Sequence, residues 1–298
     1  MEFLGAEAAA DHLDFIVEKG VERPVINAIL DVLWRNRVRW DVLSFSGIPE
    51  ESDTPEILRE RQWPWQALPE EVCPRVLLPA DWDTYFMSLS RRKRKEQRRF
   101  RRQLDERFPG AWRWKQVQDP EGVRETLDAL IAFHQAKWEA LDKPGAFASS
   151  TAVAFHHALA QAFLSRGWLR LFRLDIEGRT VAALYTLAYR GCVYDFVSGF
   201  DFDFADYSPG QVLTEISLQE AINAGYRCYD FLRGDEQYKF RWGAEAVHDV
   251  GLRWIASPHA RLAHGAEGLA RKVWHGVKRL LPGALRQRIR ATLRRSSD

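Results

Sequence analysis

A mixed α/β fold of the α+β kind, with a central sheet flanked by helices, is predicted by three patterns in the sequence. Strand-like runs at Trp168–Asp175, Arg179–Tyr189 and Cys192–Ser198 are separated only by Ile176-Glu-Gly178 and Arg190-Gly191, turns short enough for an antiparallel meander. Two helical stripes precede the meander, and a helical pattern, a strand and a polar, aromatic-rich segment follow it. At the amino end, short apolar runs alternate with helical patterns, the arrangement that lays helices against a sheet.

In chain order, Leu13–Val17, Asp41–Phe45 and Arg75–Leu78 read as short apolar strands, with helices expected at Pro24–Arg37 and Thr54–Arg61. A single helix is expected from Trp82 to Phe108. Tyr85, Phe86 and Leu89 near its start and Phe100, Leu104 and Phe108 near its end keep helical spacing, and Pro109-Gly110 ends it. Val123, Leu127, Leu130, Ile131, His134, Trp138 and Leu141 share one helical stripe, and Phe155, Leu159, Ala162 and Phe163 another. Beyond the meander come a helix at Pro209–Ala224, a strand at Tyr226–Leu232 and a final strand at Val250–Ala256. The expected organisation is an amino-terminal half-domain over 1–80, a basic linker helix over 81–110, a main domain over 111–257 and a basic helical tail over 258–298.

A chain of 298 residues, 46 % of them apolar, can bury a sizeable core and lacks the composition of a disordered protein. Residues 1–11 are acidic with no basic segment leading into an apolar one, and no apolar run approaches the roughly eighteen residues of a membrane span, so secretion and spanning are not expected. Cys73, Cys192 and Cys228 are few, odd in number and far apart, so neither a disulfide framework nor a CxxC zinc site is expected, and the cytoplasm is the expected compartment. No metal is expected: His156 and His157 would point about 100° apart on a helix, and no HExxH spacing occurs. The net charge of +2 hides an asymmetry, because nine of the twelve residues from Arg91 to Arg102 are Lys or Arg and only Glu96 opposes them.

Chemistry concentrates in Tyr229–Gly243. A half-buried strand would end near Leu232, Gly234 permits a sharp turn, and Asp235 is the expected N-cap of a short helix bearing Tyr238, Lys239 and Trp242. Ligands of open α/β sheets sit beyond the carboxyl ends of the strands, where this helix would present a phenol, an ammonium and a carboxylate. By spacing alone the segment reads equally well as a core junction with solvated charges. His134, a turn ahead of Trp138 in an apolar stripe, also reads as a hydrogen-bonded core residue. Ser208-Pro-Gly210 reads as a plain helix start, since Ser caps and Pro opens helices.

Asp230–Gly243 resembles the signature of the GNAT-type acyltransferases associated with cellulose and exopolysaccharide biosynthesis, relatives of the Fem-type peptidoglycan bridge ligases. Ser88–Lys95, His134–Trp138, Gly167–Leu171, Ser198–Asp201 and Ser208–Gly210 resemble the same family's blocks in the same order, so the resemblance covers about Leu4 to Ala256. It implies a GNAT fold of tandem halves, the first incomplete because relatives carry more sequence ahead of Phe3. It also implies acyl transfer from a thioester, acetyl-CoA or another acyl-CoA, to an amine on a sugar, polysaccharide or cell-envelope precursor. In that architecture the donor's pyrophosphate rests at the start of the helix after the meander, here Ser208, Gly210 and Gln211. Amides along Val193–Val197 polarise the acyl carbonyl, with Val197 counted among the donor-binding residues. Tyr238 stands where the catalytic acid is expected, Asp235 and Glu236 are the candidate bases, and His134, Trp138, Arg233, Lys239 and Trp242 are the candidate substrate-binding residues. The chain departs from the family's glycine-rich phosphate loop, having one glycine and a proline without an N–H.

Two basic regions imply partners. Residues 91–102 suit a polyanion or an anionic membrane surface. The tail from 259 to 298, with Leu269, Val273, Trp274, Val277, Leu280 and Leu281, suits such a surface or its own domain, so the expected location is cytoplasmic and peripheral at the inner membrane. Nucleic acid becomes a partner only in the alternative of an aminoacyl-tRNA donor, as in Fem-type ligases. A third reading is a non-catalytic accessory protein that binds a membrane surface or polyanion.

Overall fold

The computed structural model describes residues 1–5, 10–143, 145–257 and 259. Among these, His12–Pro69, residues 1–5 and the chain from Val250 form a smaller unit, and Glu70–Asp249 with residues 10 and 11 a larger one. No described helix is long and apolar enough to cross a membrane. Of the basic tail expected over 258–298, all but residue 259 lies outside the described residues.

The smaller unit contains α1 (Glu22–Arg35), β1 (Val42–Pro49), α2 (Thr54–Glu60) and β2 (Gln66–Ala67). Its core holds Ile26 and Leu30 of α1, Leu43, Phe45 and Ile48 of β1 and Ile57 and Leu58 of α2, all almost fully buried. Trp254 seals it, with ring centroids 4.7 Å from Trp63 and 5.1 Å from Trp40. The strand expected at Leu13–Val17 is absent. Leu13 N–H donates to the Gly47 carbonyl at 2.7 Å and Thr54 Oγ1 to Asp14 Oδ1 at 2.6 Å, and Phe15 packs on the core without a ladder.

The larger unit runs β3 (Glu71–Leu77), α3 (Trp82–Ser88), α4 (Arg91–Arg107), β4 (Trp112–Val117), α5 (Pro120–Ala140), α6 (Ser150–Ser165), β5 (Leu169–Ile176), β6 (Arg179–Tyr189), β7 (Cys192–Phe200), α7 (Pro209–Asn223), β8 (Cys228–Asp230), α8 (Gln237–Phe240) and β9 (Glu245–Ile255). From Val250 onward β9 belongs to the smaller unit, where Arg253 and Leu252 pair with Gln66 and Ala67 of β2. Within the larger unit the sheet order is β9-β3-β8-β7-β6-β5-β4, antiparallel except for β7 and β8. Each meander turn has two successive left-handed residues, Glu177 and Gly178 (φ +51° and +81°) and Arg190 and Gly191 (φ +49° and +84°). That pair matches the twist of two antiparallel strands, which is why so short a connection suffices.

Helices cover both faces of the meander, so β5 is buried along nearly its whole length. On one face Leu127 and Leu130 of α5 and Ala160 of α6 meet Leu171, Ala183 and Tyr185. On the other, Phe100 and Leu104 of α4 and Val212, Leu213 and Ile216 of α7 meet Phe172, Leu174 and Leu184. At Gly199 a Cβ would lie 3.0 Å from Phe133 and 3.2 Å from the Leu130 carbonyl, so the absence of a side chain there lets α5 seat closely on β7.

Three sequence expectations change here. The single helix expected over Trp82–Phe108 is two, because Leu89 is extended and Ser90 starts α4 afresh, its Oγ accepting from Lys93 N–H at 3.2 Å. β4 was not foreseen; its exposed Arg113, Trp114 and Lys115 hide the alternation of a strand. Cys192 and Cys228 are joined in a disulfide, although 36 positions apart, because they face each other in the β7–β8 register with Cα atoms 4.7 Å apart. Closing a loop of that length restricts the unfolded chain by about 3–4 kcal/mol. Reducing the bridge, or replacing Cys192 and Cys228 by serine, is expected to lower the unfolding free energy by about that amount in denaturant titrations.

Candidate active site

The site begins where two strands part. β7 and β8 run parallel for three residue pairs, Cys192, Val193 and Tyr194 facing Cys228, Tyr229 and Asp230. Beyond them β7 continues against β6 to Phe200, with Phe196 as the extra residue of a bulge, whereas the chain leaving β8 stays with β3, Phe231 N–H donating to the Pro74 carbonyl. Past Tyr194 the edge of β7 is therefore no longer paired with β8, and Asp195 stands just beyond the end of that ladder.

Asp195 accepts a hydrogen bond from the Tyr229 hydroxyl at 3.0 Å, and that hydroxyl lies 3.1 Å from Ser217 Oγ on α7. Burial pushes the Asp195 carboxyl up to about 6, although the Tyr229 hydrogen bond and the Lys239 charge act the other way. Tyr238, on α8, is raised by burial and then by the charges of Asp195 and Glu236. With 39 % of its surface exposed, solvent screens part of that shift, but the phenol keeps its proton at neutral pH. A carboxylate poised near neutrality and a protonated phenol within its field are the two groups that proton transfer at one reaction centre requires.

The turn carrying Tyr238 is held by Lys239. Its Nζ is buried and donates to the carbonyls of Arg233 (2.8 Å), Leu232 (3.2 Å) and Gly234 (3.3 Å) and pairs with Glu236 at 2.9 Å. These contacts use its hydrogens inside the turn, so Lys239 staples the loop and has none to offer an anionic substrate. The loop needs a staple, since Leu232 takes φ +55° and Gly234 φ +118°, the first strained for a residue with a Cβ. Asp235 is exposed and does not cap; the N-cap position belongs to Glu236, which makes no side-chain cap either. Burial would raise the Glu236 carboxyl, but the Lys239 hydrogen bond and charge hold it below the usual value, which weakens it as a base. Arg233 is also occupied, with Nε 2.7 Å from Asp11 and a terminal nitrogen 3.1 Å from Glu71. Trp242 is fully buried beneath Lys93, so the expectation that it touches substrate is corrected: it is core.

His134 and Trp138 meet one turn apart on α5, the indole N–H donating to His134 Nε2 at 2.8 Å. That bond and burial, which lowers its pKa, keep the imidazole neutral. Phe147 stands edge-on between His134 and His156, with centroids 5.0 Å from each, and His156 packs on Phe196 of the bulge. The charge of Lys137, in the last turn of α5, adds a small pull on the Glu236 carboxyl in the same downward direction as Lys239.

At the start of α7, Ser208 is left-handed (φ +50°) and makes no side-chain cap, in contrast to the N-cap expected of it. The N–H groups of Ser208, Gln211 and Val212 are spent on the carbonyls of Ala205 and Ser208, and Pro209 has none, which leaves Gly210 as the free first-turn amide among the described residues. Gln211 turns its side chain to α4, accepting from Lys93 Nζ at 2.7 Å. Lys93 is 1 % exposed, with its ammonium 3.6 Å above the Trp242 ring, and burial lowers its pKa to about 7 even though Glu96 and Glu215 raise it. With the Gln97 amide oriented to suit both neighbours, its oxygen accepts from Lys93 and its nitrogen donates to Glu215, each at 2.8 Å, and Arg101 pairs with Glu215 at 3.2 Å. Residues 93, 97 and 101 of α4 thus form a polar seam with 211 and 215 of α7. For a coenzyme A donor, the unpaired β7 edge, Ser208 and Gly210 would be the holding groups, and the fit is partial because so few amides remain free.

A family model described as the acetyltransferase (GNAT) domain matches residues 91–240, half of the chain. The chain belongs to the GNAT acetyltransferase family. No curated protein matches it. Among solved structures, FemX is similar with a TM-score of 0.59 and 12 % identity over 82 % of this chain and 79 % of that one. A conserved protein of unknown function from Bacteroides thetaiotaomicron gives 0.57 and 14 % over 78 % and 75 %, and L-PGS from Bacillus licheniformis 0.55 and 13 % over 83 % and 77 %. At these identities the likeness is one of fold. The GNAT assignment makes the chain an acyltransferase, and the matched region takes in α4, the meander, α7 and Tyr238.

Sequence reasoning missed Asp195, Tyr229 and Ser217 as a linked group, and the seam of Lys93, Gln97 and Glu215. One signal was present, an aspartate inside the apolar run Val193-Tyr-Asp-Phe-Val197. Because folding raises the Asp195 pKa from 3.8 to about 6, its contribution to stability is full below about pH 4 and is lost as pH rises through 6. Comparing wild type with Asp195→Asn in denaturant melts from pH 4 to 7.5 should show wild type losing on the order of 2–3 kcal/mol that the variant keeps. Lys239→Met should leave carbonyls of the 232–234 turn unsatisfied, costing about 1–3 kcal/mol and speeding amide exchange in that turn.

Proposed function

We propose that this GNAT domain transfers an acyl group from acetyl-CoA to an amino group of a sugar, polysaccharide or cell-envelope precursor, with Asp195 as base and Tyr238 as acid. The observation that carries the reading is the enclosed Asp195 carboxyl at the opening between β7 and β8, with Tyr238 within its field. The ionised carboxylate takes a proton from the acceptor's ammonium. The freed amine forms a C–N bond to the thioester carbonyl, and N–H groups along the unpaired β7 edge stabilise the oxyanion. The C–S bond then breaks as the leaving sulfur takes the Tyr238 proton, and the extra proton on the new amide nitrogen returns to the Tyr238 phenolate. His134 and Trp138, facing the α5–α6 loop, are the proposed acceptor contacts. The acceptor class is supported by the likeness of Asp230–Gly243 to acyltransferases of polysaccharide biosynthesis, and use of acetyl-CoA would make the cytoplasm the place of work.

One observation favours a second donor. With Gly210 as the free first-turn amide, the cradle for a pyrophosphate is thin, which suits a donor whose phosphates lie elsewhere, such as an aminoacyl-tRNA. Calorimetric titration with acetyl-CoA separates the two. Saturable binding is expected, and its absence alongside binding of aminoacyl-tRNA would replace the first reading with the second.

With an amine acceptor identified by screening, kcat/KM should rise with pH through about 6 as Asp195 loses its proton. Asp195→Asn and Tyr238→Phe should each lower kcat by roughly 10²- to 10⁴-fold. Equal substitutions at Asp235 should leave it within a few fold, and an Asp195→Asn enzyme of wild-type rate would remove Asp195 from the mechanism.

A further inference from the structure

α4 has two faces of opposite character. Lys93, Gln97, Phe100 and Leu104 are buried against the body of the larger unit, whereas Arg91, Arg92, Lys95, Arg98, Arg99 and Arg102 are exposed. At about 100° and 1.5 Å per residue, those six positions fall within an arc of roughly 120° and a length of roughly 16 Å. The run that looked like a charge cluster in the sequence is thus a single outward ridge. Its counter-charges are spent elsewhere: Glu96 pairs with Arg241, and Glu215 with Arg101 on the buried side. Among the described residues only Arg102 of the ridge has an acidic partner, Glu106 at 3.6 Å, and both side chains are more than two-thirds exposed, a pairing of little strength.

Six cations held on one rigid face repel one another, and relief comes from an external polyanion. Two details select its kind. The arc carries no exposed aromatic to stack on the bases of a single strand. It is also convex, the outside of a helix, whereas single strands lie in grooves. A straight convex ridge of guanidinium groups touches a plane along its whole length, and guanidinium pairs with phosphodiester oxygens through two N–H groups. We propose that the outer face of α4 docks the larger unit on an anionic phospholipid surface, Arg91, Arg92, Lys95, Arg98, Arg99 and Arg102 contacting headgroup phosphates. The ridge does not depend on the acyl-transfer reading, since none of its side chains enters the site.

Flotation of the full chain with phosphatidylcholine vesicles, with and without phosphatidylglycerol, tests this. Binding is expected only to the vesicles containing phosphatidylglycerol. It should fade as salt is raised from 0.1 to 1 M, which shortens the screening length from about 10 Å to about 3 Å. Replacing Arg91, Arg98 and Arg102 together by Gln should weaken the binding by roughly a hundredfold, and replacing the same three by Lys should largely retain it. Thermal melts of both variants confirm that the exposed substitutions leave the fold intact. Vesicle binding by the Gln variant equal to wild type overturns the proposal, because the binding would then come from another part of the chain. So does an affinity for double-stranded RNA that the Gln substitutions abolish while vesicles are ignored, which would make the ridge a nucleic-acid contact.

Discussion

The parting of β7 from β8 is the constraint on which the larger unit is built. Their ladder lasts three residue pairs and is tied at its first by the Cys192–Cys228 bridge. β7 is committed to β6 for its whole length, and β8 to β3. The sheet opens where the ladder ends, because β7 goes on against β6 to Phe200 while the chain leaving β8 stays with β3 at Phe231. Asp195 and the Phe196 bulge sit at that opening, Tyr229 bridges it to Ser217 on α7, and α8 hangs Tyr238 beside it. A carboxylate in the middle of a fully paired strand would be an uncompensated cost; here the Tyr229 hydroxyl donates to it just past the end of the β7–β8 ladder.

Buried lysines carry much of the surrounding architecture. Lys239 collects three carbonyls of a strained turn, and Lys93 joins α4 to α7 through Gln211 and Gln97 while resting on Trp242. Neither site would tolerate an unpartnered ammonium, and each supplies acceptors close to the number of its hydrogens. The same residue type that marks a solvated face elsewhere on α4 is thus the connector on its inner side.

The meander was legible because its turns are written in local chemistry: Glu177-Gly178 and Arg190-Gly191 need left-handed residues and sit between strongly apolar runs. The helices α1, α5, α6 and α7 were legible from their spacing for the same local reason. What depended on distant contacts was not. Ser90 restarts a helix inside a stripe whose periodicity barely breaks, and β4 is a strand because β5 pairs with it, not because Arg113, Trp114 and Lys115 alternate. Cys192 and Cys228 become partners only through a ladder between strands separated by α7. At the candidate site, Tyr238 stands in a segment whose resemblance to acyltransferases is visible in the sequence, whereas Asp195 depends for its character on Tyr229 and on the end of a ladder. Lys239 and Trp242 were misread for a related reason, since burial turned one into a staple and the other into core.

The seam between α4 and α7 makes those helices a single mechanical piece. Gln211, two residues into α7, is gripped by Lys93, which lies on the opposite side of α4 from the outward ridge. Pulling α4 outward would strand an ammonium, an amide and a carboxylate in an apolar layer, so the helix moves with α7 or not at all. Whatever bears on the outer surface of α4 therefore bears, through one side chain's thickness, on the first turn of α7, the helix whose Ser217 meets Tyr229. The fold has a handle, and it is fastened directly to α7.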